Sequence, residues 1–123
     1  MTGPGLDAEL VVGTPVIAAV AAATAVRVPG VARLEPGVLG VLGHYAGAGS
    51  QLWSGLPTAP TAGVRVRRAQ GRLTVQIDLA LTSDAEVVRV GRAVQRAVVR
   101  AVADATGEQV DSVTISVLDI DPR

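Results

Sequence analysis

The 123-residue sequence contains no cysteine, no lysine and no phenylalanine, and it has one histidine, one tyrosine and one tryptophan. Without cysteine, disulfides, thiol catalysis and cysteine-ligated zinc are excluded, and a single histidine leaves few histidine-based metal sites. The absence of lysine also excludes the phosphate-binding loop of nucleotide-binding proteins, which needs that side chain. We therefore predict no metal, no cofactor and no catalytic residue.

Long hydrophobic runs are also missing. The longest candidate, residues 15–26, is alanine-rich and far shorter than the roughly 20 apolar residues that span a bilayer. Asp7 and Glu9 precede it where a signal peptide would carry positive charge. The run therefore predicts a buried helix in a cytoplasmic protein.

Charge of one sign is not in excess, because eleven acidic residues balance eleven arginines. No overall field therefore favours nucleic acid or an anionic membrane. Hydrophobic residues make up 49% of the chain, which excludes a disordered composition and predicts one folded domain. The exclusive use of arginine and the many alanine, valine and glycine residues are typical of a GC-rich genome.

Helix and turn signals divide the first half of the chain. Thr14 is the predicted N-cap of the first helix, with Pro15 at its first position, and the apolar spacing continues to Val28, before Pro29 and Gly30. The predicted units are a flexible arm over 1–8, a helix over 14–28, a short strand over 30–36 and a long loop over 37–62.

The second half shows clearer periodicity. Alternating apolar residues on both sides of Gln70-Gly71 predict a β-hairpin over 64–81 with one wet face. Ser83 and Glu86 have the spacing of a capping box and predict a helix to about Ala105, ended by Gly107. A last strand over 113–118 and a polar tail, "DIDPR", complete the chain.

These elements predict an α+β fold, a two-layer sandwich of order α-β-(long loop)-β-β-α-β. Each strand has one apolar face and each helix one apolar stripe, so both helices are expected on one face of a small antiparallel or mixed sheet. Residues 9–120 are predicted to form the single domain, with 121–123 as its tail.

Four segments in this order resemble the alkaline-shock and Gls-type general-stress proteins of Gram-positive bacteria. They are "PVIAAVAAATAVRVPGVARL" (15–34), "GVRVRRAQGRLTVQIDLALT" (63–82), "VGRAVQRAVVRAVADATGEQV" (90–110) and "VTISVLDI" (113–120). The arginine-, alanine-, valine- and glycine-rich composition is typical of an actinobacterial member of the family. The sequence departs from the family pattern at Ser83-Asp84 and Thr114, where members tend to have an aromatic-glycine pair and an asparagine.

The resemblance implies a non-enzymatic cytoplasmic protein of the general stress response, tied to cell-envelope homeostasis. It also implies protein–protein interaction, often with a separate membrane-anchored partner. Homo-oligomers are compatible with this function. The segment over 36–62 lies outside the resemblance.

Four arginines on the second predicted helix form one line, which we call the arginine ridge: Arg89, Arg92, Arg96 and Arg100. At about 100° per residue they share a narrow arc opposite the apolar stripe. Two interpretations remain open. The ridge is a solvated face neutralised by acids from elsewhere, or it docks an acidic or phosphate-bearing partner, because arginine binds carboxylate and phosphate with two hydrogen bonds.

A second basic group, which we call the hairpin arginines, contains Arg65, Arg67, Arg68 and Arg72. They are consistent with a wet outer face. The alternative function is an RNA- or DNA-binding module that uses both groups, but the stacking aromatics of single-strand readers are missing from both. Nucleic acid is therefore the less favoured partner.

The three rare side chains His44, Tyr45 and Trp53 all lie in the predicted long loop. His44 has no neighbouring acid to orient it, which argues against catalysis. Tyr45 and Trp53 are predicted to pin the loop to the domain or to contact a partner, with a small-molecule site as the least favoured alternative. Asp119 and Asp121 are too few for a cation site and are predicted to be solvated.

Overall fold

The computed structural model describes residues 12–36 and 62–121. Its elements follow the predicted order, α-β-β-β-α-β, and form an α+β fold. They are α1 (Thr14–Ala25), β1 (Val31–Leu34), β2 (Val64–Ala69), β3 (Arg72–Thr82), α2 (Val87–Thr106) and β4 (Ser112–Asp121).

The long strand β3 organises a mixed four-stranded sheet. β4 runs parallel to β3 along one edge, while β1 and β2 both pair antiparallel with the opposite edge, one after the other. The end of β1 and the beginning of β2 meet opposite Asp78 of β3. The Asp78 carbonyl accepts a hydrogen bond from the N–H of Glu35 at 2.8 Å, and the Asp78 N–H donates to the carbonyl of Gly63 at 2.8 Å. β1 and β2 are therefore two halves of one edge, and the chain leaves and rejoins it at the same point.

Two glycines make close approaches possible along this edge, Gly30 where β1 begins and Gly63 where β1 and β2 meet. Gly30 and Gly63 have φ angles of 99° and 95°, in the left-handed region that favours glycine. A Cβ on Gly30 would lie 2.6 Å from Cγ2 of Val90, and one on Gly63 would lie 2.6 Å from the carbonyl oxygen of Glu35. Gly30 and Gly63, which lie in two of the four segments that resemble the family, are therefore positions where a side chain does not fit.

The core lies between the helices and one face of β3. α1 contacts α2 and β2, and α2 contacts β4. The odd-numbered apolar side chains of β3 are buried in one cluster with those of both helices. Its largest fully buried members are Ile17, Val75, Ile77, Leu79, Leu81, Val94, Val98 and Val102. Burial of side chains of this size contributes about 1.5–3 kcal/mol each before conformational entropy is subtracted.

Both predicted helix starts were placed incorrectly. Thr14 is the first residue of α1 rather than its cap, and the helix ends at Ala25, three residues before Val28. α2 begins at Val87, so its N-cap is Glu86 rather than Ser83, and the Glu86 side chain makes no capping hydrogen bond. Because β3 continues to Thr82, the chain must turn before the helix can begin. The Thr82 hydroxyl donates to the Asp84 carboxylate at 2.8 Å in that turn.

The hairpin turn and the end of α2 agree with the sequence prediction. Gln70 and Gly71 both have positive φ, as a two-residue type I′ turn requires, and Gly107 ends α2 in the left-handed conformation. The predicted polar tail is wrong, because β4 continues to Asp121, which lies opposite Thr82 of β3. The prediction stopped too early because Asp119 and Asp121 are atypical strand residues.

Candidate functional site

The arginine ridge is positioned by the burial of the opposite face of α2. Val90, Val94, Val98 and Val102 recur every four residues and are all buried in the core. This fixes the rotation of the helix about its axis, so the side chains about 180° away must face outward. The four ridge residues, Arg89, Arg92, Arg96 and Arg100, are accordingly all exposed.

Most of the ridge charge has no partner among the described residues. Arg89 lies 3.6 Å from Glu86, and both side chains are more than 70% exposed, so the pair is a weak surface contact. Arg92, Arg96 and Arg100 make no ion pair within residues 12–36 and 62–121, and neither does Asp104 at the end of the line. The ridge is a row of like charges.

Apolar side chains accompany these charges. Val88 and Val99 are 66% and 37% exposed on the same helix. An open depression is lined by Gln95, Arg96, Ala97, Val99 and Arg100. The outer face of α2 can therefore offer guanidinium groups and hydrocarbon side by side.

The hairpin arginines divide into paired and unpaired residues. Arg65 donates to the Asp78 carboxylate at 3.0 Å, and the Asp78 side chain is only 3% exposed. Arg68 bonds the Glu108 carboxylate at 3.2 Å and the carbonyl of Val12 at 2.9 Å. Arg67 and Arg72 are exposed and make no ion pair with a described residue. The second basic group is thus partly structural.

Glu108 is held as a carboxylate by this arrangement. The hydrogen bond from Arg68 is the main cause that lowers the pKa of Glu108, with a further contribution from the Val12 N–H at 3.4 Å and from the Arg68 charge. Partial burial acts in the opposite direction. The contact joins the end of β2, the segment just before α1 and the turn after α2.

Arg33 on β1, which the sequence analysis did not single out, forms several ion pairs in the structure. It lies 2.6 Å from Glu35, 3.2 Å from Asp119 and 3.9 Å from Asp121. The solvated tail predicted for the two aspartates is therefore incorrect, because both join an ion-pair network across the sheet. Arg33 and Asp119 are 86 positions apart, so no local sequence signal predicts this contact.

His44, Tyr45 and Trp53 lie outside the described residues, so the predicted roles of the two aromatic residues stay predictions. Residues 12–36 and 62–121 contain no group of three or more acidic, histidine or cysteine side chains that could hold a metal ion. In the same part of the chain, neither helix has the length and apolar character needed to cross a bilayer.

Comparison with known proteins identifies the alkaline shock protein 23 family, described as having a cell envelope-related function, whose model matches residues 6–122. No curated protein matches the chain. A solved structure of a point variant of MamM is similar, with 14% identity over 89% of this chain and 85% of that one, at a TM-score of 0.46.

Proposed function

This chain belongs to the alkaline shock protein 23 family, whose function is related to the cell envelope, and on that premise we propose that it is a non-enzymatic cytoplasmic scaffold. In this proposal it acts in the stress response at the envelope by binding a protein partner through the arginine ridge. A membrane-anchored partner would bring it near the bilayer.

The observation that carries the proposal is the unpaired charge of the ridge. Arg92, Arg96 and Arg100 follow one another at i, i+4 spacing, and each like-charged pair at this spacing disfavours the helix by about 0.2–0.5 kcal/mol. No carboxylate of a described residue lies within ion-pair distance of them. Such an arrangement costs local stability and is not neutralised by the described residues, so it is suited to a partner that neutralises it.

The chemistry of the surface defines the partner. Guanidinium groups spaced one helical turn apart can bind carboxylates with two hydrogen bonds each, and the exposed Val88 and Val99 offer apolar contact beside them. An acidic segment with interspersed apolar residues fits both features. Such a segment would gain rapid association from charge and retention from the apolar contact.

The experiment compares two variants of equal charge. In the ridge variant, Arg92, Arg96 and Arg100 are changed to Glu; in the control, the exposed Arg27, Arg67 and Arg72 are changed to Glu. Each substitution changes the charge by two units, so both variants go from zero to −6. In-cell crosslinking and affinity purification then identify what each chain retains.

We expect the native chain and the control to retain a protein with an acidic segment exposed to the cytoplasm, and the ridge variant to lose it. Recovery of the same protein with all three chains would contradict docking at the ridge. Nucleic acid retained by the native chain, and released steeply as salt rises, would identify a phosphate-binding surface instead.

A further inference from the structure

The face of the sheet that points away from the helices carries a groove where β2 pairs with β3. We call it the sheet groove. Its volume is about 440 Å³, and the described residues that line it are Arg65, Val66, Arg67, Thr74 and Gln76. The groove and the arginine ridge lie on opposite sides of the molecule, because both helices pack against the other face of the sheet.

Strand register brings the polar side chains of the groove together. Arg65 is paired with Gln76, and Arg67 is paired with Thr74. Residues that are directly opposite in antiparallel strands share a face of the sheet, and Val75, between Thr74 and Gln76, is buried in the core on the other face. The four polar side chains therefore begin at the corners of a rectangle of about 5 Å by 7 Å.

One of the two guanidinium groups in the groove is held in place. Arg65 donates through Nη1 to the Asp78 carboxylate at 3.0 Å, and the Asp78 side chain is only 3% exposed. The Arg65 side chain is 34% exposed, so its remaining N–H groups can reach a ligand in the groove. Because the Asp78 carboxylate is buried and already paired, it offers little repulsion to an anion.

The other three polar side chains of the groove are available for a ligand. Arg67, Thr74 and Gln76 make no side-chain hydrogen bond with a residue in 12–36 or 62–121. Thr74 and Gln76 are nevertheless partly buried, where a hydroxyl and an amide gain from a hydrogen-bond partner. All three can donate, and the described residues that line the groove include no acid.

We infer that the sheet groove binds the phosphate group of a small soluble molecule. Arg65 and Arg67 contribute the positive charge, and Thr74 and Gln76 donate to the oxygens that the guanidinium groups leave free. A tetrahedral phosphate has enough oxygens to accept from all four corners of the rectangle. A carboxylate has two oxygens in one plane, so it would leave some of these donors unpaired.

The surroundings of the groove favour a small ligand over a long polyanion. Its volume lies within the range of roughly 300–1,000 Å³ that is usual for small-molecule sites. Arg72 lies on the same face toward the hairpin turn and adds positive charge at one end. Toward the other end, Glu35 and Asp119 surround Arg33. A nucleic-acid strand that followed this face would meet those carboxylates.

This inference is independent of the docking proposed for the arginine ridge. The ridge variant, with Glu at Arg92, Arg96 and Arg100, changes only residues of α2, on the other side of the molecule. It is therefore expected to lose its protein partner and to retain phosphate binding. Failure of one proposal can then be told apart from failure of the other.

The first test locates the binding of inorganic phosphate by NMR of the ¹⁵N-labelled native chain. The amide signals of residues 64–67 and 74–76 should shift and saturate as phosphate is added. Sodium chloride at the same ionic strength should leave them in place, and acetate should bind more weakly. Shifts confined to the arginine ridge, or equal responses to phosphate, acetate and chloride, would overturn the inference.

The second test compares substitutions by the same titration. Arg67→Gln should weaken phosphate binding by roughly tenfold or more, since a charged hydrogen bond is lost. Arg96→Gln makes the same chemical change on the ridge and should have no effect. Thr74→Val removes a donor without changing the charge, so it should also weaken binding if the groove recognises the phosphate through hydrogen bonds. Circular dichroism checks that the variants fold.

Two outcomes of these comparisons would contradict the proposed site. Equal affinities of the Arg67→Gln and Arg96→Gln variants would show that the groove does not hold the anion. Binding to vesicles that contain phosphatidic acid, lost in Arg67→Gln and unaccompanied by any response to soluble phosphate, would identify a lipid headgroup and exclude the small soluble ligand.

Discussion

The arginines of the sheet and those of the long helix carry the same charge in opposite surroundings. Arg65 reaches a buried carboxylate, and Arg33 and Arg68 reach carboxylates from other parts of the chain. Arg92, Arg96 and Arg100 of the arginine ridge face outward without a described acidic partner. The sheet arginines join elements of the fold, whereas the ridge arginines leave their charge available.

The difference follows from how each arginine is held. A side chain on a sheet lies beside residues from neighbouring strands that are distant in sequence, so an acid on another strand can meet it. A side chain on the outer face of a helix has mainly its own helix within reach, and on α2 that face has few acids. The predictions below test whether this division holds, and they run from the largest expected effect to the smallest.

The largest effect is expected at the buried ion pair. Arg65→Ala would leave the carboxylate of Asp78, whose side chain is 3% exposed, without its cation. We expect the free energy of unfolding to fall by about 3 kcal/mol, since an uncompensated buried charge is costly. Urea denaturation at neutral pH measures this loss.

A second variant separates charge from packing in the same pair. Arg65→Ala combined with Asp78→Asn removes the uncompensated charge and should recover part of the lost stability. If the single and the double variant were equally destabilised, the effect of Arg65 would come from its hydrocarbon contacts rather than from the ion pair.

A smaller and pH-dependent effect is expected at Glu108. The hydrogen bond from Arg68 lowers the pKa of Glu108 in the folded protein, so the unfolded chain binds a proton at higher pH than the folded one. The resulting stabilisation is present above the ordinary glutamate pKa and is lost as the pH falls through the lowered value. Glu108→Gln should therefore be less stable than the native chain at pH 7.

The stability difference between native and Glu108→Gln protein should shrink toward zero in acid, as followed by urea midpoints from pH 7 to about pH 3. Asp104→Asn is a suitable control, because Asp104 makes no ion pair with a described residue. A difference for Glu108→Gln that stays constant over this range would show that its carboxylate is not preferentially stabilised by folding.

The contrast between the two sets of arginines also explains what sequence alone could predict. The exposure of the ridge was predictable because the hydrophobic periodicity of α2 can be read from the helix's own sequence. Four valines, one at every fourth residue, define its buried face, so the arginines on the opposite face must be exposed. The same reasoning predicted the hairpin and its turn at Gln70-Gly71.

The ion pairs of the sheet were not predictable, because they depend on which strands become neighbours. Arg68 and Glu108 are 40 residues apart, and they meet only because β2 ends near the turn that precedes β4. The extension of β4 through Asp119 was missed for the same reason. From sequence alone, Asp119 is typical of a polar tail. Only the folded structure shows that Arg33 lies across the sheet from it and pairs with its carboxylate.

The smallest effect, and the one of opposite sign, is expected at the arginine ridge. Changing Arg92, Arg96 and Arg100 to Ala removes two like-charged i, i+4 pairs and replaces exposed side chains with the residue of highest helix propensity. No ion pair with a described residue is lost. The free energy of unfolding should therefore stay the same or rise by up to about 1 kcal/mol, in contrast to the loss at Arg65.

Denaturation by urea at low and high salt measures both the sign and the cause of this change, because any gain from relieved repulsion should diminish as salt screens the charges of the native ridge. A loss of stability would mean that the ridge holds the fold together, and partner binding would no longer be needed to account for it.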